Sequence, residues 1–125
     1  MRGNFGRWGA ACLAVGLALA APATAADYGH YLSGDTSLPT PGTVQPGLLL
    51  MGGGDRNHDA LRWFMDKAGH GHIVVLRASQ GGQIGDEFFN EVGGIQSAET
   101  FVFRDREAAY DPEILAALAR ADGIF

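Results

Sequence analysis

Two glycine-bearing stretches carry the side chains and backbone best suited to bind a ligand. They are Gly52-Gly53-Gly54-Asp55 and Arg77-Ala78-Ser79-Gln80-Gly81-Gly82. Three consecutive glycines let backbone N–H groups turn toward an anion or a carbonyl oxygen where a helix begins. The same run also reads as a tight strand-to-helix turn with Asp55 as its cap. It is neither G-x-G-x-x-G nor a P-loop. In the second stretch, Arg77 at a strand end can hold a carboxylate or form a structural ion pair. Ser79 can donate a hydrogen bond to a ligand or act as a turn hydroxyl. A nucleophilic Ser79 is not expected, because Ala78-Ser79-Gln80-Gly81 lacks the G-x-S-x-G elbow and no base is placed beside it by sequence. Gly53, Gly54, Asp55, Arg77 and Ser79 are therefore the candidate substrate-binding residues, and no catalytic residue is assigned.

The remaining polar residues suggest less. Arg104-Asp105-Arg106-Glu107 alternates in sign and reads as a solvated, self-paired loop. His70 and His72 fall at the amino end of a strand, away from these two loops, with His58 on a helix and His30 in the Gly-, Pro-, Ser- and Thr-rich stretch that precedes the first apolar run after residue 26. No H-x-x-x-H or H-E-x-x-H spacing occurs, so a metal site is not expected and the histidines read as exposed polar groups. Trp63, Phe64 and Met65 read as a helix packing face rather than a cofactor box, and no cofactor is implied.

The strands and helices flanking the two loops follow from hydrophobic period. Gly47 to Met51 is a short apolar run and predicts a strand ending at the glycines. Leu61, Phe64, Met65 and Ala68 recur at helical spacing within Asn57 to Ala68, with Asn57 or Asp55 as cap and Gly69 at the end. His72 to Leu76 predicts a second strand, Asp86 to Val92 a short helix with Phe88, Phe89 and Val92 on one side, and Glu99 to Phe103 a third strand. Asp111-Pro112-Glu113 combines a capping acid, Pro at the first helical position and an acid in the first turn. Ile114, Leu115, Leu118 and Ala121 then share a face. Gly123-Ile124-Phe125 opens a fourth strand. Continuous apolar strands separated by single helices predict an α/β fold with parallel strands buried on both faces in three layers. The two loops then lie at the carboxyl ends of strands, where open α/β sheets bind ligands. Asp27 to Pro46, rich in Gly, Pro, Ser and Thr, predicts an extended lead-in pinned by Tyr28 and Tyr31. A fourth strand that begins at Gly123 predicts that these residues are the N-terminal part of a longer domain.

Residues 1–26 have the layout of a secretory signal peptide. Arg2 and Arg7 form a basic start, Ala10 to Ala21 an apolar run of about 12 residues, and Ala23-Thr24-Ala25 a small-x-small site, with cleavage near Ala25 or Ala26. The run is shorter than the roughly 20 residues that span a bilayer, and no membrane association is expected after cleavage. Two of the 9 basic residues and none of the 14 acidic ones leave with it, so the net charge moves from −5 to about −7. That balance argues against a nucleic-acid partner. The one cysteine, Cys12, leaves too, which suits an oxidising periplasmic or secreted location. Residues 47–125 then form the domain body, after a signal peptide at 1–26 and the lead-in at 27–46.

Gly47-Leu-Leu-Leu-Met-Gly-Gly-Gly54, a helix carrying Ala60 and Trp63-Phe64-Met65, and Gly71-His-Ile-Val-Val-Leu-Arg-Ala-Ser79 together resemble the start of a cyanophycinase-like protein. Gly93-Gly94-Ile95-Gln-Ser-Ala-Glu-Thr-Phe-Val-Phe103 and Ala121-Asp-Gly-Ile-Phe125 continue the resemblance, which covers about 80 of the roughly 100 exported residues. That group stands with dipeptidase E among serine peptidases of a class I glutamine amidotransferase-like, flavodoxin-like fold. The Leu-Arg-Ala-Ser form of the second loop is similar to exported members. The resemblance implies acyl-enzyme hydrolysis of a peptide or isopeptide bond next to Asp. The Gly-Gly-Asp-Gln loop, the Gly-x-Ser-x-Gly elbow and the later base His of such proteins have no counterpart in this sequence. No catalytic residue carries over, and the chain alone is expected to be inactive. A small exported binding module for an anionic ligand, or a non-catalytic member, stays open.

Overall fold

The computed structural model describes residues 25–79 and 83–125. The signal-peptide reading falls almost wholly outside them, as do Gln80, Gly81 and Gly82 of the second loop. The chain folds as an α/β unit on a four-stranded mixed sheet. Its strands are β1 (Tyr28–Gly34), β2 (His72–Arg77), β3 (Ser97–Phe103) and β4 (Gly123–Ile124), in the spatial order β1-β3-β2-β4. β2 runs parallel to both β3 and β4, whereas β1 lies antiparallel along β3 from Tyr28↔Phe103 to Gly34↔Ser97.

Two expectations are corrected here. The stretch from Asp27 to Pro46 is not all extended lead-in, because Tyr28–Gly34 is the edge strand β1. Its sequence hides this: an edge strand takes stability from its hydrogen-bond ladder, so Tyr-Gly-His-Tyr-Leu-Ser-Gly needs no apolar alternation. Tyr28 pins it to the body and Tyr31, 45% exposed, does not. Gly47 to Met51 is not a strand, and the sheet is not all-parallel, because β1 runs antiparallel to β3. The neighbouring edge strand β4 offers a ladder of only two residues, and the run makes no strand pairing with it. Leu49 and Met51 pack on the core while Leu48 and Leu50 stand out at 79% and 83% exposure.

The helices follow their sequence signals closely. Helix α1 (His58–Lys67) is capped by Asn57, whose side chain accepts from the backbone N–H groups of Asp59 and Ala60. Gly69 follows at φ 60°, a left-handed conformation that glycine adopts without strain. The expected short helix is two pieces, α2 (Gln83–Asp86) and a wider π-type winding over Glu87–Val92. Helix α3 (Pro112–Arg120) starts as predicted, with Asp111 accepting from the Glu113 N–H and Pro112 in the first turn. Its buried residues are Ile114 and Ala117, while Leu115 is half exposed.

One face of the sheet buries Leu61 and Met65 of α1, Ile73 and Val75 of β2, and Phe88 against Ala98. The other buries Val74 and Phe101 against Ala108, Ile114 and Ala117. The alternation of 73 and 75 with 74 assigns β2 to both cores, the mark of a strand covered on two sides. At about 25 cal/mol per Å2, each of the larger of these side chains contributes roughly 1.5–3 kcal/mol.

Polar contacts fasten β1. His30 stacks on Phe101 at 4.6 Å between ring centroids, and its Nε2 lies 2.9 Å from Glu99 Oε1. Glu99, almost fully buried, also accepts from Arg120 Nη2 at 2.5 Å. The Tyr28 hydroxyl donates to Glu113 at 2.6 Å, and this bond to a carboxylate raises the phenol well above its ordinary value. Arg104 pairs with Asp27, and Asp105 accepts from the Asp27 N–H. The loop at Arg104 to Glu107 is thus paired with the segment leading into β1 rather than with itself.

The histidines are likewise engaged rather than free polar groups. The Leu38 carbonyl can only accept, so His72 Nε2 donates to it at 2.8 Å, and in the neutral ring Nδ1 accepts from Ser97 Oγ. His70 bridges to Asp66 and to the Gly94 carbonyl, and His58 approaches Glu87 at 3.3 Å.

Candidate functional site

The carboxyl ends of β2 and β4 open onto a cavity of about 440 Å3. Its wall is Gly52, Gly53 and Gly54 on one side and Arg77 with Leu76 on the other. Met51, Val75, Ile84 and Phe125 form an apolar floor, and Arg56 stands at the rim. β2 delivers Arg77 as its last residue, and α1 anchors the glycine run through the Asn57 cap three residues beyond Gly54. The Leu76 N–H donates to the Phe125 carbonyl and the Phe125 N–H to the Val74 carbonyl, so the pairing of β2 with β4 continues to the cavity floor.

Three of the five candidate residues meet here: Gly53, Gly54 and Arg77. Asp55 does not line the cavity and does not cap α1; Asn57 does that, because its position immediately before His58 fits the cap geometry. Ser79 is exposed in a bend and also lies outside the lining. Sequence reasoning missed Arg56, Ile84 and Phe125. The spacing of 31 residues between Arg56 and Glu87 explains the first, since no local pattern links them.

The electrostatics of the rim divide by residue. Arg56 grips Glu87 with Nε 2.9 Å from both carboxylate oxygens, and Nη2 adds a further contact. That clamp holds the Glu87 carboxyl below the usual carboxylate range and raises the Arg56 guanidinium, the hydrogen bond being the main cause for each. Arg77 makes no ion pair among the described residues. No described serine stands beside a histidine at this rim. The one Ser–His contact, Ser97 with His72, is at the amino end of the strands and its serine is fully buried. Among the described residues, no group of three or more His, Cys, Asp or Glu could hold a metal ion, and no helix is long and apolar enough to cross a membrane.

No family model matches the chain, and no curated protein or solved structure matches it either.

Proposed function

We propose that this chain supplies the substrate-binding rim of an exported cyanophycinase-like serine peptidase, with the class I glutamine amidotransferase-like, three-layer arrangement completed by further strands. The observation that carries the reading is the convergence of Gly53, Gly54 and Arg77 on one cavity at the carboxyl ends of two parallel strands, the ligand-binding end of open α/β sheets. Bare glycine backbone and a cation suit a substrate with a carbonyl oxygen to polarise and a neighbouring carboxylate to hold. The chemistry would be attack of a serine hydroxyl on an amide carbonyl next to Asp, relayed by a histidine base. The described residues contribute the rim and not that serine.

The test is active-site labelling of the natively exported protein with a fluorophosphonate, followed by peptide mapping and an assay on a β-aspartyl-arginine dipeptide. The expected result is hydrolysis, with the label on a serine outside residues 25–125. A label on Ser33, Ser37, Ser79 or Ser97, or neither label nor hydrolysis, would count against the proposal.

A further inference from the structure

Arg77 stands apart from the other arginines among the described residues. Arg56, Arg62, Arg104 and Arg120 each hold a carboxylate, on Glu87, Asp59, Asp27 and Glu99 respectively. Arg106 is exposed and needs no partner. Arg77 is half-buried, lines the cavity, and has no carboxylate within ion-pair distance among the described residues. A guanidinium so placed can form a bidentate, charge-assisted pair with an incoming carboxylate or phosphate.

The opposite wall supplies a second, independent observation. A Cβ built on Gly52 or Gly53 meets nothing within 4 Å, and neither residue has the left-handed φ that Gly54 shows at 107°. Neither packing nor backbone conformation asks for glycine at 52 or 53. What the missing side chains do is leave main-chain polar groups uncovered where they border the cavity. The acidic groups nearby do not oppose an anion: Asp55 is outside the lining, and Glu87 is clamped by Arg56.

We infer that this cavity is an oxyanion-recognition site, in which the carboxylate or phosphate of a small ligand sits on the Arg77 guanidinium, faces the bare backbone of Gly52 and Gly53, and rests its body on Met51, Val75, Ile84 and Phe125. The inference uses the cavity of the peptidase reading and names the group that the cavity selects, but it requires no hydrolysis, so the two fail separately.

The experiment is an NMR titration of the full chain with succinate, with inorganic phosphate, and with uncharged succinamide. Saturable shifts are expected at the Gly52 and Gly53 amides and at Arg77 Nε–H with an anion, and none with succinamide. Tighter binding of succinate identifies a carboxylate ligand, and tighter binding of phosphate a phosphorylated one. Arg77→Gln should weaken binding by about tenfold or more, the loss of a charge-assisted bond, while Arg106→Gln leaves it within about twofold. Gly53→Ala, which has open space for its methyl group, should keep the native spectrum and still weaken binding by at least about threefold. Should Arg77→Gln unfold, Arg77→Lys and Gly53→Ala decide the matter. Unchanged affinity in Gly53→Ala together with either folded Arg77 variant, equal losses in Arg77→Gln and Arg106→Gln, or no saturable binding of either anion overturns the inference. Saturable anion binding without hydrolysis by the native protein would remove the peptidase reading alone.

Discussion

The two edges of the sheet are built on opposite principles. β1 is polar and poor in large aliphatic residues, yet it pairs over seven residues and is tied down by side chains. Gly47 to Met51 is almost wholly apolar, yet it forms no strand beside the two-residue edge β4. Burial propensity alone therefore did not decide which segment joined the sheet. Partners did. β1 finds a free side of β3, an aromatic platform on Phe101, and carboxylates at Glu99 and Glu113. The apolar run touches the core through Leu49 and Met51 and has no further surface for Leu48 and Leu50. The edge with side-chain anchors is the structural one. The loosely anchored edge borders the candidate site, where freedom from packing leaves room for a ligand.

The comparison is most sharply broken at Phe101, the platform under β1. Phe101→Ala should cost about 3–5 kcal/mol in urea denaturation, and amide exchange should accelerate along Tyr28–Gly34 before it does along β2. Equal acceleration in both strands would mean that β1 has no separate anchor. A smaller effect is expected at Glu99→Gln, about 1.5 kcal/mol, because the buried carboxylate loses charge-assisted bonds but Arg120 is half solvated.

The other edge is probed by acid. The native Glu87 carboxyl is held low by Arg56, so its contribution is complete above the ordinary glutamate titration, near about 4.3, and is lost as pH falls through the lower native value. Glu87→Gln should flatten that part of the stability-against-pH curve and leave the neutral-to-alkaline part with its original shape. Identical acid limbs in the two proteins would show that the clamp is absent in solution. The smallest effect is expected at Leu50→Thr, within about 0.5 kcal/mol, since this side chain is 83% exposed. A loss comparable to that of Phe101→Ala would mean that Gly47 to Met51 is packed in solution.

Much of the fold was legible because its signals are local. The Asn57 and Asp111 caps, the Pro112 start, the α1 stripe and the continuous run of β2 each depend on residues a few positions apart. The site was legible in part: strand-end logic placed Arg77 correctly at the end of β2, whereas Gly53 and Gly54 reach the cavity although the strand expected before them does not form. Asp55 and Ser79 are equally polar and adjacent in sequence to lining residues, yet both are exposed and neither lines the cavity. Arg56 was invisible because its partner lies on a different helical segment.

By itself, then, the sequence determined an α/β unit, most of its helix boundaries and three of the residues that meet at the cavity. Tertiary structure decided that Tyr28–Gly34 is a strand, that Gly47 to Met51 is not, and that each histidine has a partner. Helix caps and stripes are satisfied within one or two turns of chain. Strand membership is satisfied only by a neighbour's free edge, and which edges remain free is a property of the whole sheet.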